Sequence, residues 1–344
     1  MAAKPRNPPL ERQNRRPARL ALHLPFRCRP INRELHRAMF HKSRQLVGVD
    51  IGSTAIKAIE LTQAGRHHSV RAFGTEPVPG GAVVDGTIND VAAVADAMRR
   101  LFERHRIRTP DVAASLSGSG VFVKRITVPM MSELELAASI GWEVEQHIPL
   151  DVEELHFDYE RVSDSARTGG AMEILLAAAT KEKVARHVDA ITKAGKTPAI
   201  LDVTAFALQN AYEVNHEIEP NGLIALIDVG TGSITVHVVR DGRMLFTRDS
   251  AAGNDVVGET IAAIDAFGRT LGSMPLDRIV TTGGASKSPA LVDALATRFG
   301  VRVEPLDPFR RIAFDPERLD LDAASVAATA AVAVGLALRR RNDR

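Results

Sequence analysis

Cysteine is nearly absent from this chain. Cys28 stands alone among 344 residues, so no disulfide forms within one molecule. That usage suits a reducing compartment. The eleven histidines include no His-Glu-x-x-His run and have no cysteine pairs beside them, which leaves a catalytic zinc site without support. Neither a Gly-x-x-x-x-Gly-Lys-Ser/Thr loop nor a Gly-x-Gly-x-x-Gly fingerprint occurs, so neither a P-loop NTPase nor a dinucleotide enzyme is indicated. Long apolar runs are missing too. The longest, Val326 to Leu338, is alanine-rich, carries Thr329 and falls short of the roughly 20 residues of a membrane span, so it reads as a buried helix.

The net charge of +2 conceals two unlike parts. Over the first 38 residues ten Lys or Arg face two acids, Glu11 and Glu34, for a net +8, and the remainder therefore carries −6. Prolines at 5, 8, 9, 17, 25 and 30 work against a packed fold and predict a disordered basic tail over residues 1–44. The tail has the charge to tether to anionic phospholipid, no aromatic or glycine-rich pattern favouring nucleic acid, and no apolar core of a signal peptide. With 45% hydrophobic residues, the chain is long enough for two domains.

What is present is a repeated turn. Asp50, Ile51, Gly52, Ser53 and Thr54 close one apolar strand, and Asp228, Val229, Gly230, Thr231 and Gly232 close another about 180 residues later. Glycine lets each backbone turn sharply and approach a ligand, so that amides and a hydroxyl face phosphate oxygens while the aspartate holds a hydrated magnesium ion. The surroundings repeat as well. Leu46–Asp50, Ala55–Leu61 and Ser69–Thr75 read as three strands around the first turn, with His67 and His68 as a solvated turn. Leu223–Asp228, Ile234–Val239 and Met244–Arg248 repeat that layout around the second. Two such units facing one cleft would grip a ligand from both sides.

A third element follows. Arg278–Thr282 read as a strand running into Gly283, Gly284 and Ala285, then a helix from Ser288 or Pro289 whose N-terminal dipole favours an anion. After two phosphate turns, this junction reads as a nucleoside site. Lys181–Ala194 reads as an amphipathic helix, and Asn221 with Gly222 marks the switch between units.

The order of these three motifs resembles the actin-like ATPase superfamily, with its phosphate-1, phosphate-2 and adenosine segments. A narrower resemblance is to the PilM family of type IV pilus assembly proteins. It rests on Leu46 to Leu61 (LVGVDIGSTAIKAIEL), on Val128 to Val162 with Glu145, Ile148, Pro149 and Asp158, on Ile200 to Tyr212, and on Val303 to Ile312. The similarity spans roughly residues 45 to 338, and Met39 to Lys42 resembles the family's usual start, so a true start near Met39 is expected.

The resemblance implies an α/β, actin-like (ribonuclease H-like) two-domain fold with a nucleotide cleft between lobes. The first domain would cover 45–219, with a small α+β subdomain at about 128–160. The second would cover 222–320, and a helix over 322–341 would return to the first. It also implies a cytoplasmic adaptor of a type IV pilus, or related type II secretion, platform at the inner membrane, which binds ATP with Mg, holds the cytoplasmic tail of a PilN-like membrane protein and meets other pilus platform proteins. Asp50 and Asp228 would hold water-coordinated Mg. Gly52, Ser53, Thr54, Gly230 and Thr231 would donate to phosphates, and Lys57 would add charge. Gly253 and Asn254 would complete the ribose side, with Gly283, Gly284 and Ala285 at the nucleoside. In the small subdomain Ser132 and Glu135 form a capping box, Leu136, Ile140 and Val144 share a helical face, and Trp142 reads as core.

One departure bears on function. About 30 residues separate Gly253 from Gly283, where family members insert a larger subdomain 2B that walls the nucleotide pocket. They supply one helix, about Asp255 to Leu271, so apolar burial of the base is reduced and binding should weaken. Two classes stay open: a nucleotide-binding adaptor, or an ATP-hydrolysing or phosphotransferring enzyme of the same fold in which Asp202 orients water. A pseudo-ATPase without nucleotide is a variant of the first. As a plain structural residue Asp202 would cap the helix that follows it.

Overall fold

The computed structural model describes residues 45–163, 170–272, 274–319 and 321–341. The expected basic tail and Cys28 lie outside them.

Two sheets with the same wiring carry the fold. In the first half the strands are β1 (Val47–Ile51), β2 (Ala55–Ala64), β3 (His67–Pro77), a two-residue hairpin pair β4 (Val83–Val84) and β5 (Thr87–Ile88), β6 (Asp111–Leu116), β7 (Val121–Pro129), β8 (Leu155–Ser163), β9 (Ala171–Thr180) and β10 (Thr197–Val203). The second half holds β11 (Leu223–Val229), β12 (Ser233–Arg240), β13 (Arg243–Ala251), β14 (Arg278–Thr282), β15 (Arg302–Pro305) and β16 (Ile312–Ala313). The helices are α1 (Val91–Arg104), α2 (Glu133–His147), α3 (Lys181–Lys193), α4 (Thr204–Asn215), α5 (Val256–Leu271), α6 (Pro289–Phe299), α7 (Ala323–Thr329) and α8 (Ala331–Ala337).

The first sheet runs β10-β6-β1-β2-β3-β16 and the second β13-β12-β11-β14-β15. Read from opposite ends they match. β1 and β11 each pair antiparallel with the strand after their turn and parallel with a later strand, β6 or β14. This duplicated α/β arrangement is the actin-like fold. The central parallel strands are apolar on both faces, as sheets covered by helices require: every residue of Asp111–Leu116 is buried. His67 and His68 belong to β3 rather than to a turn, since His67 pairs with Ala64 and His68 with Gln63.

Two features differ from the sequence reading. β16, within the stretch expected for the second domain, pairs in parallel with β3 of the first sheet. The single C-terminal helix expected over 322–341 is two short ones, divided at Ala330. Within α8, Val332, Val334 and Leu336 are all buried, each contributing about 1.5–3 kcal/mol of burial free energy. Contact this close depends on Gly335, where a Cβ would stand 1.7 Å from the carbonyl oxygen of Ala207 in α4.

The small three-stranded sheet β7-β9-β8 stands apart from both main sheets. α2 packs Leu136 and Ile140 against Ile126, Val128, Met172 and Ile174, and Val144 against Leu155 and Leu176. The local sequence starts this helix. Ser132 and Glu135 form the reciprocal capping box, with the Glu135 carboxylate accepting the Ser132 amide at 2.8 Å. Trp142, expected in the core, lies 61% exposed on the opposite face with Leu134, which is 85% exposed.

Candidate functional site

The two turns are built alike. Antiparallel register sets Asp50 opposite Lys57 in β1 and β2, and Lys57 Nζ donates to Asp50 Oδ2 at 2.9 Å. The Gly52 amide donates to Ala55 O at 3.1 Å, and in the second turn the Gly230 amide donates to Ser233 O at 2.9 Å. Those two glycine amides, read from the sequence as phosphate donors, are therefore spent on closing their own hairpins. The groups left facing outward are the hydroxyls of Ser53, Thr54 and Thr231. Among the described residues the backbone amides of the same three make no internal hydrogen bond.

The turns meet. Ser53 Oγ lies 3.2 Å from Thr231 Oγ1, and Thr54 Oγ1 lies 3.3 Å from the same atom, although 178 and 177 positions separate them. Behind this contact sit three charges. Burial would depress the Lys57 ammonium, but the charge of Asp50 and its hydrogen bond, with a further contribution from Asp228, raise it overall. Asp228 is pushed up to about 7 by burial, with Asp50 adding to the rise, Lys57 opposing it and Asp249 adding more weakly. Hydroxyls, unpaired amides and an ammonium make a donor set that fits phosphate oxygens. The carboxylates of Asp50 and Asp228 fit a cation held through water. Among the described residues no group of three His, Cys, Asp or Glu side chains is disposed to bind a metal directly.

The third loop passes under the second turn. Gly283 has φ +96°, and a Cβ there would lie 2.6 Å from Asp228 Oδ1, so only glycine allows this approach. Its amide donates to Ala328 O at 2.8 Å and the Ala285 amide donates to Val229 O at 3.0 Å. These two amides tie β14 to α7 and β11, and a Cβ at Gly284 would meet open space.

The remaining expected residues have other partners. The Gly253 amide donates to Glu259 Oε2 at 2.7 Å, within the cap of α5, and Asn254 is exposed beside it. Asp202 is neither a helix cap nor open to water. It is the next-to-last residue of β10 and has no exposure, and its Oδ2 accepts Arg339 Nε at 2.6 Å while Oδ1 accepts the Val203 amide at 2.8 Å. So enclosed, the Asp202 carboxylate faces Arg339 and the backbone rather than solvent.

Sequence reasoning missed a second meeting of the halves. Asp249 in β13 accepts the Gly118 amide through Oδ2 at 2.8 Å and the Thr235 hydroxyl through Oδ1 at 2.7 Å. Beneath it Lys183 Nζ donates to Ser117 O at 2.6 Å. Burial raises the Asp249 carboxyl and lowers Lys183 to about 8, opposed by the charges of Asp85 and Asp249. A cavity of about 370 Å³ opens here between Gly118–Lys124 and Thr247–Ala251. The available signal was Gly118-Ser119-Gly120 at the carboxyl end of a parallel strand, where α/β sheets collect ligands.

Among solved structures, the chain is similar to a PilM–PilN type IV pilus biogenesis complex: 25% identity, TM-score 0.75, over 86% of this chain and 98% of that one. More distant likenesses include the cytoplasmic domain of EpsL, an inner-membrane component of the type II secretion system of Vibrio cholerae (12% identity, TM-score 0.47, 87% and 98% covered). Another is MreB 5 of Spiroplasma citri bound to AMPPNP (12%, TM-score 0.41, 86% and 95% covered). Residues 48–270 match the family model described as type IV pilus assembly protein PilM. With well over half its length matched, this chain belongs to the PilM family of type IV pilus assembly proteins.

Proposed function

We propose that this protein is a nucleotide-responsive adaptor of a type IV pilus assembly platform, acting at the cytoplasmic face of the inner membrane. In this reading Ser53, Thr54 and Thr231 bind the phosphates of ATP. Lys57 exchanges its bond to Asp50 for a phosphate oxygen, and Asp50 and Asp228 hold Mg through water. The observation that carries it is the meeting of the two turns at Ser53 and Thr231, since a ligand entering there must touch both halves of the molecule at once. The adaptor is preferred to the enzyme because Asp202 is sequestered by Arg339. Binding is weak in this account, because α5 alone covers the stretch between β13 and β14 and little apolar surface is left for the base.

The partner is the cytoplasmic tail of a PilN-like membrane protein. Support comes from the likeness to a PilM–PilN complex and from the apolar face of α2, where Leu134 and Trp142 stand in solvent at a cost that a partner would relieve. Among the described residues no helix is long and apolar enough to cross a membrane, so anchoring would run through that partner.

Paired titrations test this: MgATP, and a synthetic tail peptide of the PilN-like protein of the same source, each against the unaltered chain, Asp228→Ala and Leu134→Asp. The expected result is ATP binding lost in Asp228→Ala with tail binding kept, and the reverse in Leu134→Asp. ATP affinity unchanged by Asp228→Ala would remove the assigned site. Steady ATP turnover that depends on Asp202 would favour the enzyme.

A further inference from the structure

Away from the two turns, a cavity of about 490 Å³ lies between β3, the connection from α1 to β6 and the segment after β16. Arg71, Arg104, Arg106, Arg108 and Arg318 line it, together with His105. Gathering five guanidinium groups from three separate segments around one cavity sets like charges against one another, a repulsion that physiological salt screens only beyond roughly 8 Å. Only part of that charge is answered internally. Arg104 pairs with Glu76 at 2.7 Å, but Glu76 is shared with Arg100. Arg71 reaches buried Glu60 at only 3.5 Å, and Arg318 spends one nitrogen on Val70 O at 2.8 Å. Among the described residues the exposed side chains of Arg106 and Arg108 have neither a carboxylate nor a carbonyl partner.

The backbone adds an independent sign. α1 ends in a Schellman motif, with the Ile107 amide donating to Phe102 O at 2.9 Å and the Arg106 amide to Glu103 O at 3.2 Å. The residue after the cap is then left-handed, and glycine is the usual choice. Here it is Arg106, with φ +54°. A long charged side chain held in that conformation costs stability that glycine would not, and such violations collect at functional positions. The glycine appears instead at Gly74 in β3, where a Cβ would stand 2.2 Å from His105 Cδ2. That gap seats the imidazole and draws the end of α1 against the sheet, fixing the base from which Arg104, Arg106 and Arg108 project.

We propose that this cavity is an anion site for a ligand carrying two or more phosphate groups. Guanidinium forks match phosphate oxygens two at a time, and the volume exceeds what one phosphate fills. A polyphosphate in solution and neighbouring headgroups of an anionic lipid surface, each with one phosphate, both present this chemistry. The site is separate from the two-turn site, for Glu60 lies three residues along β2 from Lys57, on the opposite face of the strand.

The test uses the full chain at about 150 mM salt with two probes, inorganic tripolyphosphate and phosphatidylglycerol vesicles, with phosphatidylcholine vesicles as the control. The proteins are the unaltered chain, Arg106→Gly, the double variant Arg106→Gln with Arg108→Gln, and Asp228→Ala. The ring signals of His105, assigned by His105→Gln, give a local readout that the basic residues near the N-terminus cannot produce. The expected result is a saturable shift of those signals with at least one phosphate probe, weakened about tenfold or more in the double variant and unchanged in Asp228→Ala. Arg106→Gly should also bind more weakly while melting at the same or a higher temperature, which separates loss of ligand from loss of fold. A response to tripolyphosphate alone assigns a soluble ligand, and one to vesicles alone assigns a headgroup. His105 signals indifferent to both probes, or binding undiminished in the double variant, would overturn the proposal.

Discussion

Arg339, just past the last helix, and Asp202, next to last in β10, form an ion pair of 2.6 Å with side chains only 1% and 0% exposed. The pair ties the returning C-terminus to the first sheet. Removing one partner strands the other charge in a buried setting, and Arg339 Nη2 already lacks a hydrogen-bond partner among the described residues. Asp202→Ala is therefore expected to lower stability by about 3–5 kcal/mol, measured by urea denaturation. Unchanged stability would mean that the pair is not formed.

Gly335 makes a second prediction about the same crossing. Gly335→Ala drives a Cβ into the Ala207 carbonyl, and neither helix backbone can yield without opening the core around Val332 and Leu336. A loss of about 1–3 kcal/mol is expected, where Ala in an exposed helix would be stabilising. A melting temperature equal to or above that of the unaltered chain would contradict this packing.

These cases mark the limit of what the residues alone disclose. The turns at Asp50 and Asp228 were legible because strand, glycine and polar residue are contiguous, and the capping box of Ser132 and Glu135 because its partners stand three positions apart. Trp142 was misread because residue type suggests burial, whereas the stripe of Leu136, Ile140 and Val144 already uses the one face of α2 that meets a sheet. The partners of Asp202 and Asp249 lie 137 and 131 positions away, and no local pattern specifies them. Gly253 was assigned to a ligand, but a glutamate six residues on claims its amide.

Two buried imidazoles set the response to acid. Burial pushes His237 down to about 3, and it pushes His187 down to about 4, with the bond to Lys183 O opposing and the charge of Lys183 reinforcing the fall. Unfolded, each takes up a proton near its ordinary value of 6.5, so between about 6.5 and 4 the unfolded chain binds more protons than the folded one. Their contribution is complete above 6.5 and is lost as pH falls, at about 1.4 kcal/mol per pH unit for each. His237→Gln, which keeps a donor for Gln209 Oε1, should remove one such proton. Its stability deficit relative to the unaltered chain should shrink steadily from pH 6.5 to 4 in urea titrations. A deficit independent of pH would show that His237 is not held neutral.

In the proposed function both turns close on one bound triphosphate. Millisecond hydrogen exchange on the unaltered chain tests it without a substitution, because the amides of Ser53, Thr54 and Thr231 lack internal partners and exchange fast. Saturating MgATP is predicted to slow exchange in the peptides spanning 52–54 and 230–232 together, while α2 is unaffected. Protection of one turn without the other, or of neither, would contradict the account.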